Sequence, residues 1–142
     1  MSHSPAAIER FKNLQWRLRR QYEERAQEST VRWWLLNHNA LGVADPRVLF
    51  ANGSWLGKPN VSAFFIIRRL HALGWYPESP RLTLAVPRSH SLGLFLWFKH
   101  PESPESSDAA AMKSALAAQG YDVAILKDAE SAIARIAAHM TQ

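Results

Sequence analysis

The residues of this chain whose chemistry is most telling are Arg81, Trp97 and Lys99, which border two apolar segments, 82–86 and 92–98. A short polar turn between the segments predicts a β-hairpin. Arginine and lysine side chains carry only hydrogen-bond donors, so neither can ligate a cation, and an indole offers no lone pair. These three residues favour contact with an anion such as a phosphate over the binding of a metal ion.

Magnesium-dependent hydrolysis of a phosphodiester requires hard oxygen ligands, usually two carboxylates that converge on the ion. The predicted strands contain neither Asp nor Glu. Two acids lie just outside them, Glu78 and Glu102, and each would have to be redirected by several ångströms. Residual magnesium-dependent cleavage with such a displaced acid is therefore kept only as a third hypothesis.

Charge is distributed unevenly along the 142 residues, whose formal net charge is +5. Residues 1–99 contain 14 Lys/Arg and 6 Asp/Glu, whereas residues 100–142 contain 3 and 6. A basic face of this kind suits a polyanionic partner, although it also keeps a protein in solution. The absence of cysteine excludes disulfides and thiolate metal sites. Without an apolar run long enough for a membrane span, we expect a cytoplasmic protein that does not enter a membrane.

The periodicity of apolar residues predicts one α/β domain with an additional basic helix at its start. A strand, a helix and a second strand between residues 92 and 126 form a crossover unit, which implies parallel pairing of 92–98 with 121–126. The hairpin pairs its own strands antiparallel, so the sheet is mixed and four-stranded, flanked by helices. The predicted helices are 6–22, 23–37, 61–72, 109–119 and one from Asp128 to Met140; the predicted strands are 47–51, 82–86, 92–98 and 121–126.

This element order, with these residues, resembles the VRR-NUC family of PD-(D/E)-x-K, or restriction-endonuclease-like, nucleases, which are often found in phages and repair proteins. The resemblance covers roughly residues 23–140. Glu23 and Gln27 fall on the acidic and glutamine positions of the family's first helix, and Lys99 falls on its lysine. Further positions that match are Trp33, Leu49, Phe50, Asn52, Gly53, Gly74, Pro80, Gly93, Leu94, Phe95, Leu96, Ser106, Gly120, Tyr121 and Val123.

The departures from the family pattern lie where its metal ion would bind. Arg81 replaces the aspartate, Trp97 replaces the glutamate and Ala109 replaces a glutamine; Glu23 and Lys99 remain. The resemblance therefore implies a pseudonuclease with a degenerate site and no catalytic residue, bound metal or cofactor. It also implies a division into a basic N-terminal helix, residues 1–22, and a restriction-endonuclease-like domain, residues 23–142.

Two functional hypotheses follow. In the first, the protein binds DNA, branched DNA included, through a basic face without cleaving it. In the second, a protein of phage or mobile-element origin binds and inhibits a host or rival protein, with tryptophans as anchors. The resemblance also implies a homodimer. The predicted nucleic-acid contacts are Lys58, Arg68, Arg69, Arg81, Arg88 and Lys99.

Each of these assignments has a structural alternative. The presence of Arg81 is explained equally well by an ion pair with Glu78 or another nearby acid. The presence of Lys99 is explained by packing of its aliphatic side chain against the sheet. Core packing is the alternative for Trp33, Trp34, Trp55 and Trp75. The histidines show no paired ligand spacing, so we expect them at the surface or at caps: His38, His71, His90 and His100.

Overall fold

The computed structural model describes residues 4–52, 68–69, 72–74, 76 and 79–141. Within them the fold consists of three helices and four short strands, with a 3-10 turn at Pro46–Val48 before the first strand. The elements in chain order are α1 (Pro5–Asn37), β1 (Leu49–Ala51), β2 (Leu82–Leu84), β3 (Leu94–Phe98), α2 (Ser107–Ala118), β4 (Asp122–Leu126) and α3 (Ala129–Met140).

The four strands form one mixed sheet in the order β1-β2-β3-β4. The pairs β1–β2 and β2–β3 are antiparallel, with Leu49 opposite Leu84 and Leu82 opposite Leu96. The pair β3–β4 is parallel, because α2 carries the chain back across the sheet between them. The predicted α/β class and the mixed four-stranded sheet are confirmed.

Helix α1 corrects the prediction of two separate helices at 6–22 and 23–37, because it runs unbroken for 33 residues. Ser4 caps its start by accepting the Ala7 N–H. Residues 6–37 contain no Gly or Pro that would end a helix, and an Arg20–Glu24 ion pair one turn apart spans the expected boundary. The division of the chain at residue 22 into two parts stays a prediction.

The two halves of α1 have different surroundings. Its C-terminal half packs on the sheet through the buried residues Ala26, Thr30 and Trp34. Its N-terminal half leaves its apolar residues largely exposed, although their spacing is that of an amphipathic helix. These residues, with their exposed fractions, are Ile8 43%, Phe11 60%, Leu14 53% and Leu18 55%.

The hydrophobic core lies between the sheet, the second half of α1 and α3. Leu82, Leu84 and Leu96 of the central strands are completely or almost completely buried, together with Trp34 of α1 and Ile136 of α3. The indole Nε1 of Trp34 donates to the Pro46 carbonyl at 2.9 Å. Trp34 is therefore a core residue, which is the alternative weighed for it, and cannot serve as an exposed anchor. Trp33 is partly buried against the same core.

The strands are shorter than predicted, and specific contacts end them. Residues 47–48 belong to the 3-10 turn, which Asp45 caps by accepting the Arg47 N–H. Hydrogen bonds from Arg47 lower the pKa of the Asp45 carboxyl to about 2. At the same end of the sheet, the Val86 carbonyl accepts a hydrogen bond from the His139 side chain and not from a strand.

The predicted helix 61–72 lies largely outside the described residues. Residues 68, 69 and 72 are helical, and Gly74 ends the segment with a φ of 94°. Trp55, His71, Trp75 and Glu78 also lie outside. In the described part of the chain, no helix combines the length and hydropathy that crossing a bilayer requires.

Candidate functional site

The family resemblance directs attention to the end of the sheet where β2 begins and β3 ends. We call the group of Glu23, Arg81, Trp97 and Lys99 the sheet-end site. Helix α1 passes this end of the sheet, which brings Glu23 next to a residue 58 positions later in the chain. The structure therefore brings together the residues that the sequence assigned to the degenerate site.

Glu23 is the acid that remains of the family's set, and both of its carboxylate oxygens are occupied. Its Oε1 accepts a hydrogen bond from a guanidinium nitrogen of Arg81 at 3.1 Å, and its Oε2 accepts the His100 backbone N–H at 2.9 Å. The side chains of Glu23 and Arg81 are only 12% and 16% exposed. An ion pair shielded to this degree is stronger than one on the open surface.

Arg81 and Trp97 lie side by side across the hairpin. The Arg81 N–H donates to the Leu96 carbonyl at 2.8 Å, and the register of Leu82 with Leu96 places residue 81 opposite residue 97. Trp97 is 2% exposed, so it fills space that a carboxylate and a hydrated ion would need. Its burial removes it from the proposed anchors of a protein interface.

Lys99 and Ala109 complete the surroundings of the sheet-end site. Lys99 directly follows β3, is half-buried and donates its backbone N–H to the Leu126 carbonyl at 2.9 Å. Ala109, in the first turn of α2, is completely buried and offers no polar group. The formal charge of the site is +1, from two cations and one carboxylate.

This arrangement does not fit a magnesium ion. A divalent cation next to Arg81 would be repelled by a fixed positive charge, and Glu23 could reach it only by giving up its present partners. Among the described residues, no group of three His, Asp or Glu side chains able to hold an ion includes a member of the sheet-end site. Glu102, the displaced acid that the structure describes, lies on an exposed turn.

The comparison of structures agrees with the predicted resemblance. A solved structure described as a VRR_NUC domain protein superposes with a TM-score of 0.67, covering 84% of this chain and 88% of its own. The sequence identity is 16%, so the agreement concerns the fold. This chain has the VRR-NUC fold. No protein-family model and no curated protein matches the sequence.

A second residue of the VRR-NUC helix pattern, Gln27, lies one helical turn after Glu23. The two positions share a face of α1 because residues four apart are neighbours on a helix. The Gln27 Oε1 atom is buried, and the described part of the chain supplies no hydrogen-bond partner for it. A buried acceptor of this kind is unfavourable unless a donor reaches it.

The predicted nucleic-acid contacts do not all lie together on the VRR-NUC fold. Arg68 and Arg69 are exposed, and Lys58 lies outside the described residues. Arg88 is in the turn at the far end of the hairpin, where its guanidinium contacts the Pro87 carbonyl and the Met140 sulfur. Because β2 and β3 separate Arg88 from the sheet-end site, one ligand would have to span the length of the strands to touch both.

The histidines that the structure describes agree with the expectation of surface and cap positions in two cases. His38 caps the end of α1 and is buried, with its Nδ1 2.7 Å from the Val43 carbonyl, and His90 is exposed. The ring of His100 lies against Tyr22. His90 also lies beside Asp122 and His139, which the sequence did not indicate. Sequence reasoning missed this cluster. Its members are 32 and 17 positions apart, so no local spacing could indicate it.

Proposed function

We propose that this chain is a VRR-NUC-fold protein that has lost phosphodiester cleavage and binds nucleic acid through a basic face. The observation that carries the proposal is the engagement of Glu23 by Arg81 and the His100 N–H. A guanidinium thus occupies the place that the family resemblance assigns to a metal-binding carboxylate. The loss of two carboxylates and the gain of one cation change the preference of the site from cations to anions.

Exposed cations in other parts of the described chain support contact with a phosphate backbone. Residues 5–22 of α1, which lead to Glu23, contain five cations and one acid. Arg10, Lys12 and Arg17 among them are exposed. Arg69, also exposed, adds a cation from a different part of the chain. A polyanion that contacted these groups would release counterions, which makes such binding dependent on salt.

The first experiment measures binding of fluorescent duplex, single-stranded and branched DNA across a series of salt concentrations, with and without magnesium. We expect binding that weakens steeply with salt, is unaffected by magnesium and leaves the DNA uncut. Arg69→Gln and Lys99→Gln should each reduce the slope of log K against log salt by about one unit.

The matched control for these variants is Arg47→Gln. Arg47 is exposed, and its replacement changes the net charge by the same amount, but its guanidinium is paired with Asp45 at 2.7 Å, away from the sheet-end site. The slope for this variant should equal that of the wild type. Absence of binding at about 50 mM salt, or magnesium-dependent cleavage, would contradict the proposal.

A second candidate function, contact with another protein, is favoured by the exposed apolar residues Phe11, Leu14 and Leu18 of α1. These residues recur at steps of three and four and form one face of the helix. Their exposed fractions, between 53% and 60%, leave that face uncovered within the described structure. An apolar helix face in water favours association with a second apolar face. A second copy of this chain is the partner for which we design the test.

The corresponding prediction concerns Leu14→Glu combined with Leu18→Glu. We expect the wild type to form a dimer in size-exclusion chromatography with light scattering, and this variant to be monomeric, because two carboxylates cannot be buried in an apolar contact. Leu36→Glu is the matched control, since Leu36 is an equally apolar residue near the other end of α1 and is 80% exposed. A monomeric wild type at high micromolar concentration would contradict this second function.

A further inference from the structure

A cluster of three potential metal ligands lies apart from the sheet-end site. Asp122 is the first residue of β4, His90 lies in the turn between β2 and β3, and His139 lies in the last turn of α3. One ligand atom from each residue lies within 4.8 Å of the other two. Three separate elements therefore direct nitrogen and carboxylate donors to one point.

His139 supplies the most informative atom of this cluster. The residue is 2% exposed, and its Nε2 is 2.7 Å from the Val86 carbonyl, an acceptor to which this nitrogen must donate. In the neutral ring the Nδ1 atom then carries the lone pair. This Nδ1 atom is buried, and within the described residues it has no hydrogen-bond partner. A buried acceptor without a donor points to a group that is bound there.

A polar atom close to this lone pair is itself an acceptor. Asp122 Oδ2 lies 3.5 Å from His139 Nδ1, so two electron-rich atoms face each other when the imidazole ring is neutral. The same oxygen is 3.1 Å from His90 Nε2. A cation between the three atoms would turn this repulsion into coordination.

The two distances from Asp122 Oδ2 suit a tetrahedral zinc ion, and the ligand atoms of His90 and His139, which lie within 4.8 Å of each other, are drawn to the tetrahedral separation when the ion binds. Bonds of the length that zinc forms with histidine nitrogen and carboxylate oxygen place neighbouring ligand atoms about 3.3 Å apart. The two contacts of Asp122 Oδ2, at 3.1 and 3.5 Å, lie on either side of this value. Two imidazoles and one carboxylate favour Zn²⁺ and similar transition metals over Mg²⁺ or Ca²⁺, which prefer oxygen ligands alone.

The surroundings hold the donors in place. The Val86 carbonyl fixes the tautomer of His139, as the outer contacts of metal-binding histidines commonly do. The Asp122 N–H lies 2.9 Å from the Gly93 carbonyl and 3.0 Å from Ser91 Oγ, which fixes the start of β4 beside the hairpin turn. His90 has a side chain that is 36% exposed, so an ion can reach the cluster from solvent.

One further cation faces the carboxylate. A guanidinium nitrogen of Arg135 is 4.0 Å from Asp122 Oδ2. The Arg135 side chain is 39% exposed, so it can turn toward water when an ion binds. The charge of the ion then replaces that of the guanidinium at Asp122.

We propose that His90, Asp122 and His139 form a zinc site with His90 Nε2, Asp122 Oδ2 and His139 Nδ1 as ligands and a water molecule in the fourth position. The ion joins the hairpin turn, the start of β4 and the end of α3, which are separated in sequence. Because this connection exists only in the folded chain, zinc stabilises the fold. The site is independent of nucleic-acid binding.

The test uses the full chain without an affinity tag, freed of metal by a chelator and then titrated with Zn²⁺ by calorimetry. We expect one ion per chain and a higher melting temperature with zinc. Cobalt, titrated in its place, should give the intense visible absorption of a tetrahedral Co²⁺ complex. His90→Gln and Asp122→Asn should each weaken zinc binding by about a hundredfold or more, because each removes a ligand.

His100→Gln is the matched control, since it removes an imidazole outside the cluster and should leave zinc binding unchanged. The test does not depend on replacing the buried His139, because His90 is accessible and its loss does not open the core. Thermal unfolding without metal shows whether each variant is folded. Zinc binding that persists unchanged in both His90→Gln and Asp122→Asn, or its absence from the wild type, overturns the proposal.

Discussion

Glu23→Gln is expected to lower the free energy of unfolding by about 2–3 kcal/mol, because it leaves the shielded Arg81 guanidinium without a counter-charge. The side chains of both partners are at least four-fifths buried, so water cannot replace the lost carboxylate fully. The glutamine also accepts the His100 N–H less strongly than a carboxylate does. Urea unfolding followed by circular dichroism measures the change.

Glu24→Gln provides the control on the same helix, one residue later. Glu24 pairs with Arg20, but its side chain is 51% exposed. An exposed pair four residues apart contributes only about 0.3–0.5 kcal/mol. If the two variants lose equal stability, the Glu23–Arg81 pair is an ordinary surface contact and the account of the sheet-end site is wrong.

The Glu23→Gln variant also separates stability from binding. With Glu23 neutral, Arg81 is available to a phosphate, so DNA affinity should rise even though the fold is less stable. Arg81→Glu should lower that affinity. A decrease in both variants would mean that Arg81 only supports the structure and contacts no nucleic acid.

Arg81→Asp combined with Trp97→Glu is expected to give the sheet-end site an affinity for Mn²⁺ that the wild type lacks. The variant places two carboxylates beside Glu23 and Lys99, which restores the acidic and lysine residues of the family pattern but not its glutamine, since Ala109 is unchanged. Removing the buried indole costs about 3–5 kcal/mol of stability. At a concentration of ten times its Kd, Mn²⁺ should raise the free energy of unfolding of the variant by about 1.4 kcal/mol. Calorimetry and thermal unfolding with and without Mn²⁺ measure both quantities.

The control for this exchange is Arg81→Asn combined with Trp97→Gln, which has nearly the same shape and no new charge. It should suffer a comparable loss of packing and gain no stability from Mn²⁺. Equal responses of the two double variants to the ion would show that the carboxylates do not converge on one point. The resemblance would then describe the fold and not the former metal site.

The sheet was predictable from the sequence because its signals are local. The apolar segments around 82–84 and 94–98, and the strand–helix–strand unit that follows, determine pairing and direction through turn length alone. The residues at which the strands end were less predictable. Val86 leaves the ladder because His139, 53 positions later, is bonded to its carbonyl, and no pattern within the strand indicates this contact.

Helix α1 shows a different limit. The spacing of Phe11, Leu14 and Leu18 predicts an amphipathic helix, and a helix forms, but periodicity does not reveal whether anything covers its apolar face. The expected break near residue 22 is absent because propensity and the Arg20–Glu24 pair continue the helix there.

The candidate site was predictable in its residue types and not in its contacts. The replacement of acids by Arg81 and Trp97 is visible in the sequence, and so is the preference for anions. The partner of Arg81 was not predictable, because Glu23 belongs to a helix whose packing on the sheet depends on tertiary contacts. The proximity of His90 and His139 was not predictable for the same reason, because it depends on how α3 packs.

The continuity of α1 has a mechanical consequence. From Ile8 to Glu23 the helix is about 22 Å long. This stretch contains exposed apolar residues at its start and the ion pair with Arg81 at its end. A molecule bound to these residues would therefore be connected to Glu23 by a helix without an intervening hinge. We expect such binding to weaken the Glu23–Arg81 pair, which a phosphate could then replace at Arg81.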